Sequence, residues 1–216
     1  MNIIITSAGQ RVSLIKSFQF ELKKIFPESK VFTTDLNPAL APACHISDGY
    51  FQVPKVTAES YIDDLIKVCI NNDINLIIPT IDTELLTLSN NEQKFKLNNI
   101  FPLVSDYEFI QKCRDKRLTN QLFEENNIEV PTQYTLNNLE FPVFVKPCDG
   151  SLSKGIFIAD SQDDITQEHR QNEKLMYMEL ISNDEFDEFT VDCYYDKNSI
   201  LIILSNQILY IHRINK

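Results

Sequence analysis

The chain has 216 residues, 43% of them hydrophobic, with nine prolines and four glycines, which is enough for one large domain or two small ones with buried cores. Its 31 acidic and 20 basic residues leave a formal net charge of −11, which opposes a polyphosphate backbone and argues against nucleic acid or an anionic membrane as the main partner. The five cysteines form no Cys-x-x-Cys pair, so Cys44, Cys69, Cys113, Cys148 and Cys193 read as buried thiols of a reducing compartment rather than as a zinc site or disulfide framework. No run approaches the roughly 18 apolar residues a membrane span needs. The opening Met1 to Thr6 lacks the basic start of a signal sequence, and a cytoplasmic protein is expected.

The first hundred residues alternate short apolar runs with helical periodicity, the pattern of strands joined by crossover helices over a parallel sheet. Ile3 to Ile5 reads as the first strand. Val12, Ile15, Phe18, Leu22, Ile25 and Phe26 form one apolar helix face that ends before Pro27. Val31 to Thr34 is the second strand, and an irregular stretch follows it. Tyr61, Leu65, Ile66, Val68 and Cys69 mark a second helix, and Asn75 to Pro79 the next buried strand. The expected fold is therefore α/β, opening with a small doubly wound parallel sheet.

Ligands of such sheets sit outside the carboxyl ends of the strands. The loops there carry Ser7, Arg11, Asp35, Asp82 and Glu84, which are the candidate substrate residues. Plain connecting loops, with Asp35 and Asp82 as turn or cap residues, are the competing reading. A dinucleotide site is not indicated, because its fingerprint needs three spaced glycines and only Gly9 is present.

Composition shifts near Phe101-Pro102, and a boundary near residue 103 divides the chain into 1–103 and 104–216. One helix holds Phe109 and Ile110, and another runs through Leu118, Leu122 and Phe123. Beyond Pro131 the pattern turns to strands. Glu140 to Pro147 is an apolar strand ending in Lys146, where a point charge at the edge of a hydrophobic run can meet a phosphate. Gly150-Ser151-Leu152-Ser153-Lys154-Gly155 follows, and then the strand Ile156 to Ile158. Amides, hydroxyls and a cation in such a hairpin can cradle an anion, although glycine and serine are also common in ordinary turns. Lys116 opens a helix upstream; downstream lie a strand from Lys174 to Ile181 and another beginning at Asp187-Glu188.

In this order the motifs resemble the ATP-grasp superfamily, and within it the family of the carbamoyl-phosphate synthase large subunit, from residue 1 to about residue 196. The resemblance implies a pre-ATP-grasp domain followed by a partial α+β ATP-grasp domain, with ATP as cofactor and a small-molecule carboxylate as substrate. It makes Lys116 and Lys146 the phosphate-reaching lysines, and Gly150, Ser151, Ser153, Lys154 and Gly155 the loop closing over them. Glu179 and Ile181 belong to the adenine-holding strand, and Glu188 takes the ribose hydroxyls. Leu152 and Cys148 depart from the family pattern.

Ligases of this kind bind magnesium through carboxylates and an asparagine on later strands. Here no glutamate follows Glu188 and no side-chain carboxylate follows Asp196. No metal ligand or catalytic residue is assigned, and Mg²⁺ is expected only if ligands are supplied elsewhere. The expectation is an ATP-binding protein of the carboxylate-amine ligase type, C-terminally incomplete and impaired in turnover. Alternatives are a non-catalytic interaction module, or half of a split ligase completed by a partner chain or a homodimer, with Ile200 to Leu204 and Ile208 to Ile211 as strands offering an unpaired edge. A truncation or frameshift without function of its own also stays open. His45, His169 and His212 read as surface or capping residues, and Asp184, Glu185 and Asp187 as a solvated loop.

Overall fold

The structure is a computed structural model and describes residues 1–150, 153–182, 186–195, 198 and 200–208. It divides into two compact units, Met1–Arg114 and Asp115 onward. The division falls after Arg114 rather than at residue 103. The helix Tyr107–Arg114 packs on the earlier helix Asp82–Asn90, and Arg114 pairs with Asp82 at 2.6 Å.

The first unit runs β1 (Asn2–Thr6), α1 (Val12–Ile25), β2 (Val31–Asp35), α2 (Pro42–Ile46), β3 (Gly49–Gln52), α3 (Tyr61–Asn71), β4 (Ile74–Pro79), α4 (Asp82–Asn90), α5 (Glu92–Lys96), β5 (Phe101–Pro102) and α6 (Tyr107–Arg114). Its five strands are parallel in the order β3-β2-β1-β4-β5. Both faces of β1 are covered, which explains its unbroken isoleucine run. Ile3 and Ile5 pack with Ile15, Cys44 and Ile78, while Ile4 packs with Tyr61, Leu65, Ile77, Leu88 and Phe95 on the other side. On α3 the buried residues Tyr61, Ile62, Leu65, Ile66 and Cys69 recur at helical spacing, and each large aliphatic among them contributes about 1.5–3 kcal/mol. The buried face of α1 is narrower than its sequence suggests. Leu14, Ile15, Phe18 and Leu22 reach the core, but Ile25 is 72% exposed and Phe26, beyond the last turn, is half exposed.

The second unit runs α7 (Lys116–Glu125), β6 (Gln133–Tyr134), β7 (Val143–Pro147), β8 (Phe157–Ala159), α8 (Gln167–Gln171), β9 (Leu175–Glu179), β10 (Phe189–Tyr195) and β11 (Leu201–Ile208). An antiparallel sheet in the order β6-β9-β7-β8 carries Val143, Val145, Ala159 and Tyr177 into one core with Ile165. β10 and β11 form a separate antiparallel pair. Ser205-Asn206-Gln207 does not break β11, because antiparallel pairing sets those residues opposite Asp192, Val191 and Thr190 within one ladder. Ser151, Leu152, Asp184, Glu185, Asp196 and His212 lie outside the described residues.

Candidate functional site

Alternation along β7 sends Val143 and Val145 into the core and leaves Phe144 and Lys146 on the opposite face. Lys146 stands across from Met176 of β9, and its ammonium lies 5.8 Å from the centre of the Phe144 ring, within cation–π range. Burial pushes the Lys146 pKa down, and the charge of Lys116 adds to the shift.

Lys116 is the first residue of α7, which Asp115 caps by accepting the Arg117 N–H. Its own N–H donates to the Cys148 carbonyl at 2.9 Å, and its ammonium donates to the Gly150 carbonyl at 2.7 Å. The Cys148 N–H in turn donates to the Lys174 carbonyl at 2.8 Å. One buried residue thus ties the helix start to the strand that follows, with Lys146 two positions upstream.

Lys116, Lys146, Gly150, Ser153 and Lys154 line a single cleft together with Pro147 and Ile156. Its volume is about 30 Å³, room for one water-sized group, so a phosphate would be met at the mouth by three cationic side chains and a hydroxyl. Two glycines lie close against Pro147. A Cβ on Gly150 would come 3.1 Å from Pro147 Cβ, and one on Gly155, whose φ is +71°, 3.1 Å from Pro147 Cγ.

Glu179, Ile181 and Glu188 do not line this cleft. Glu179 pairs opposite Val143, three positions from Lys146, or about 10 Å along the strand. Its carboxylate accepts the Thr132 N–H at 3.0 Å, and hydrogen bonding to Thr132 holds its pKa below the usual value. Ile181 follows β9 and is 42% exposed; Glu188 is exposed just before β10. Sequence reading overlooked Pro147 and Ile156 in the cleft wall and the 2.6 Å ion pair between Asp149 and Lys174 beside it. Pro147 was legible as the neighbour of Lys146; the ion pair joins residues far apart in sequence and leaves no local signal.

In the first unit, Glu84 is fully buried and accepts hydroxyls from Thr6 at 2.7 Å, Ser7 at 2.6 Å and Tyr61 at 2.8 Å. Its carboxylate fixes the end of β1, where Ser7 adopts φ 50°, and is closed to a substrate by its own burial. Thr80-Ile81-Asp82-Thr83-Glu84 is not a loop throughout, since α4 begins at Asp82. Asp35 accepts the N–H groups of Gly9 at 3.1 Å and Asn37 at 2.9 Å, and Asp82 pairs with Arg114. Arg11 donates to the carbonyls of Thr80 at 2.7 Å and Ser7 at 3.3 Å. Among the cysteines, Cys44, Cys69 and Cys148 are buried thiols, whereas Cys113 and Cys193 are exposed. No helix among the described residues is long and apolar enough to cross a membrane.

Residues 3–103 match the family model described as PylC-like, N-terminal domain. No curated protein sequence matches the chain. Among solved structures, the N5-carboxyaminoimidazole synthetase of Staphylococcus aureus superposes with a TM-score of 0.70 at 15% identity, over 95% of this chain and 53% of that one. The biotin carboxylase domain dimer of the Hydrogenobacter thermophilus 2-oxoglutarate carboxylase, in complex with MgADP, ADP and bicarbonate, gives 0.70 at 15% identity over 99% and 51%. D-alanyl-alanine synthetase A of Vibrio cholerae gives 0.60 at 14% identity over 99% and 68%. The chain shares the fold of these neighbours and spans about half the length of the first two.

Proposed function

We propose that the chain is an ATP-binding protein of the ATP-grasp carboxylate-amine ligase type, from the branch resembling the carbamoyl-phosphate synthase large subunit, acting in the cytoplasm on a small carboxylate. The observation that carries this reading is the convergence of Lys116, Lys146, Ser153 and Lys154 on one cleft whose glycines lie against Pro147. Phosphate oxygens match such a set of ammonium and hydroxyl donors. Two neighbours of the same fold are complexes with ADP, which supports a nucleotide here.

The cleft lining suits phosphate and does not suit magnesium, since a hard cation takes oxygen ligands and these side chains are mostly cationic or apolar. We therefore assign no step to a metal at this cleft, and expect the chain to bind ATP there while turning it over slowly. Calorimetric titration with ATP, with and without magnesium, tests the reading. Saturable binding that Lys146→Ala weakens is expected, and an absence of heat and of thermal shift would overturn it. Rapid ADP release with magnesium and a panel of amino acids would overturn the impaired form alone.

A second reading, an interaction module or half of a split ligase, draws on the β10–β11 pair, where Phe189, Val191, Tyr195, Leu201 and Ile202 are each 42–56% exposed. Light scattering distinguishes the two: a strictly monomeric chain with no partner in pull-down counts against this reading, and a homodimer or stoichiometric complex favours it.

A further inference from the structure

In the order β3-β2-β1-β4-β5 the connections run outward from β1 in one direction and resume on its other side at β4. The crevice outside the carboxyl ends of the strands at such a reversal is where ligands of doubly wound sheets bind. Arg11 is the basic side chain fixed there. Its guanidinium bridges the Ser7 carbonyl, just past β1, and the Thr80 carbonyl, just past β4, at 3.3 Å and 2.7 Å. These two contacts orient the guanidinium plane without neutralising it, and they leave several of its five donors open. Among the described residues Arg11 has no carboxylate partner within ion-pair distance.

The acids around it are engaged elsewhere: Asp35 with the Gly9 and Asn37 amides, Asp82 with Arg114, and Glu84 with three hydroxyls. The loop amides are taken up as well, because the Ala8 N–H donates to Thr34 and that of Gly9 to Asp35. A dinucleotide or phosphate would find no amide cradle there, and it would bring two or more charges close to three acids. A monoanionic carboxylate asks less and matches the planar guanidinium fork.

We propose that the reversal between β1 and β4 binds a small organic carboxylate, with Arg11 forming the ion pair. The ligand's role as the substrate to be activated rests on the ligase reading; its binding rests on Arg11 alone. The loop that holds Arg11 is set in advance by Glu84 through Ser7, and by Thr80, whose hydroxyl donates to the Thr6 carbonyl at 2.7 Å and the Ser7 carbonyl at 2.8 Å.

The test is ligand-observed NMR on the full 216-residue chain with the L-amino acids, acetate and succinate as probes. At least one carboxylate is expected to bind, with Arg11→Gln weakening it about tenfold or more and Arg11→Lys, which keeps the charge without the fork, falling between. Thr80→Val loosens the same loop without removing charge and should cost less affinity than Arg11→Gln. Failure of every probe to bind the unaltered chain, or equal losses in Thr80→Val and Arg11→Gln, would overturn the proposal. ATP titrated against the same variants separates the two readings: Arg11→Gln should leave ATP affinity unchanged. Loss of ATP binding in the unaltered chain would sink the ligase reading while a carboxylate effect at Arg11 stood.

Discussion

The ammonium of Lys116 donates to the carbonyl of Gly150 at 2.7 Å, tying the first residue of α7 to the start of the glycine-bounded turn after β7. A phosphate at the cleft would draw on that ammonium and on Lys146 together. Lys116→Ala and Lys146→Ala are each expected to weaken ATP binding about 10- to 100-fold, since a charge-assisted hydrogen bond contributes roughly 1.5–3 kcal/mol. Calorimetry checks this, and unchanged affinity in both variants would remove the cleft from the nucleotide site.

Lys146 also gives the cleft a pH dependence. Burial first, and the Lys116 charge second, lower its pKa, so the charged form that a phosphate needs is lost earlier on raising the pH than for an ordinary lysine. ATP affinity should fall as pH rises into the alkaline range, and Lys116→Ala should shift the remaining fall to higher pH. Between the folded and unfolded pKa values the unfolded chain holds more protons, so this group's effect on stability is unfavourable at low pH and is relieved as pH rises through the folded pKa. A fall of affinity at the ordinary lysine pKa in both chains would contradict the geometry.

Tyr61 points the other way. Burial, and then the Glu84 charge and hydrogen bond, raise its pKa well above the tyrosine range. Its contribution is fully present below the ordinary value of about 10 and fades as pH climbs above it, because the unfolded chain then loses its proton first. Tyr61→Phe should destabilise the first unit by about 1.5–3 kcal/mol at neutral pH and flatten that alkaline decline. Glu84→Gln, which sets an amide donor against hydroxyl donors, should cost about 1–3 kcal/mol. Urea unfolding across pH reads both.

Gly155→Ala combines a left-handed backbone with a close approach to Pro147, and should cost about 1–2 kcal/mol while weakening ATP binding by displacing the residue beside Lys146. Gly150→Ala meets the same ring without the left-handed backbone and should be milder. Thermal midpoints and ATP titrations of the two variants check the order, and a reversed order would show that the turn is not set by Gly155.

Much of the fold was legible where one local pattern met one environment. Ile3 to Ile5 reads as a strand buried on both faces, and α3 shows its buried face at helical spacing. Lys146, at the end of an apolar strand, pointed to the cleft because chain neighbours supply most of its lining. Other features depend on partners that sequence does not display. Ile25 fits the apolar face of α1 by spacing, yet it lies in the last turn, where 72% of it is exposed. Two short elements, α2 and β3, fell within the stretch read as irregular. Glu84 looked like a crevice acid, but its three hydroxyls come from residues 6, 7 and 61, and together they bury it.

Cys148 holds the start of α7 through its carbonyl and the residue before β9 through its amide. The spacing of Lys146 from the start of α7 is therefore anchored by main chain at position 148, where any residue except proline has the same two groups. The thiol faces inward with Met176 and Met178 beside Phe144, so a small side chain of modest polarity serves equally well there. Exchange of that side chain for another small one can leave the pitch of the lysines untouched, because neither hydrogen bond uses the thiol.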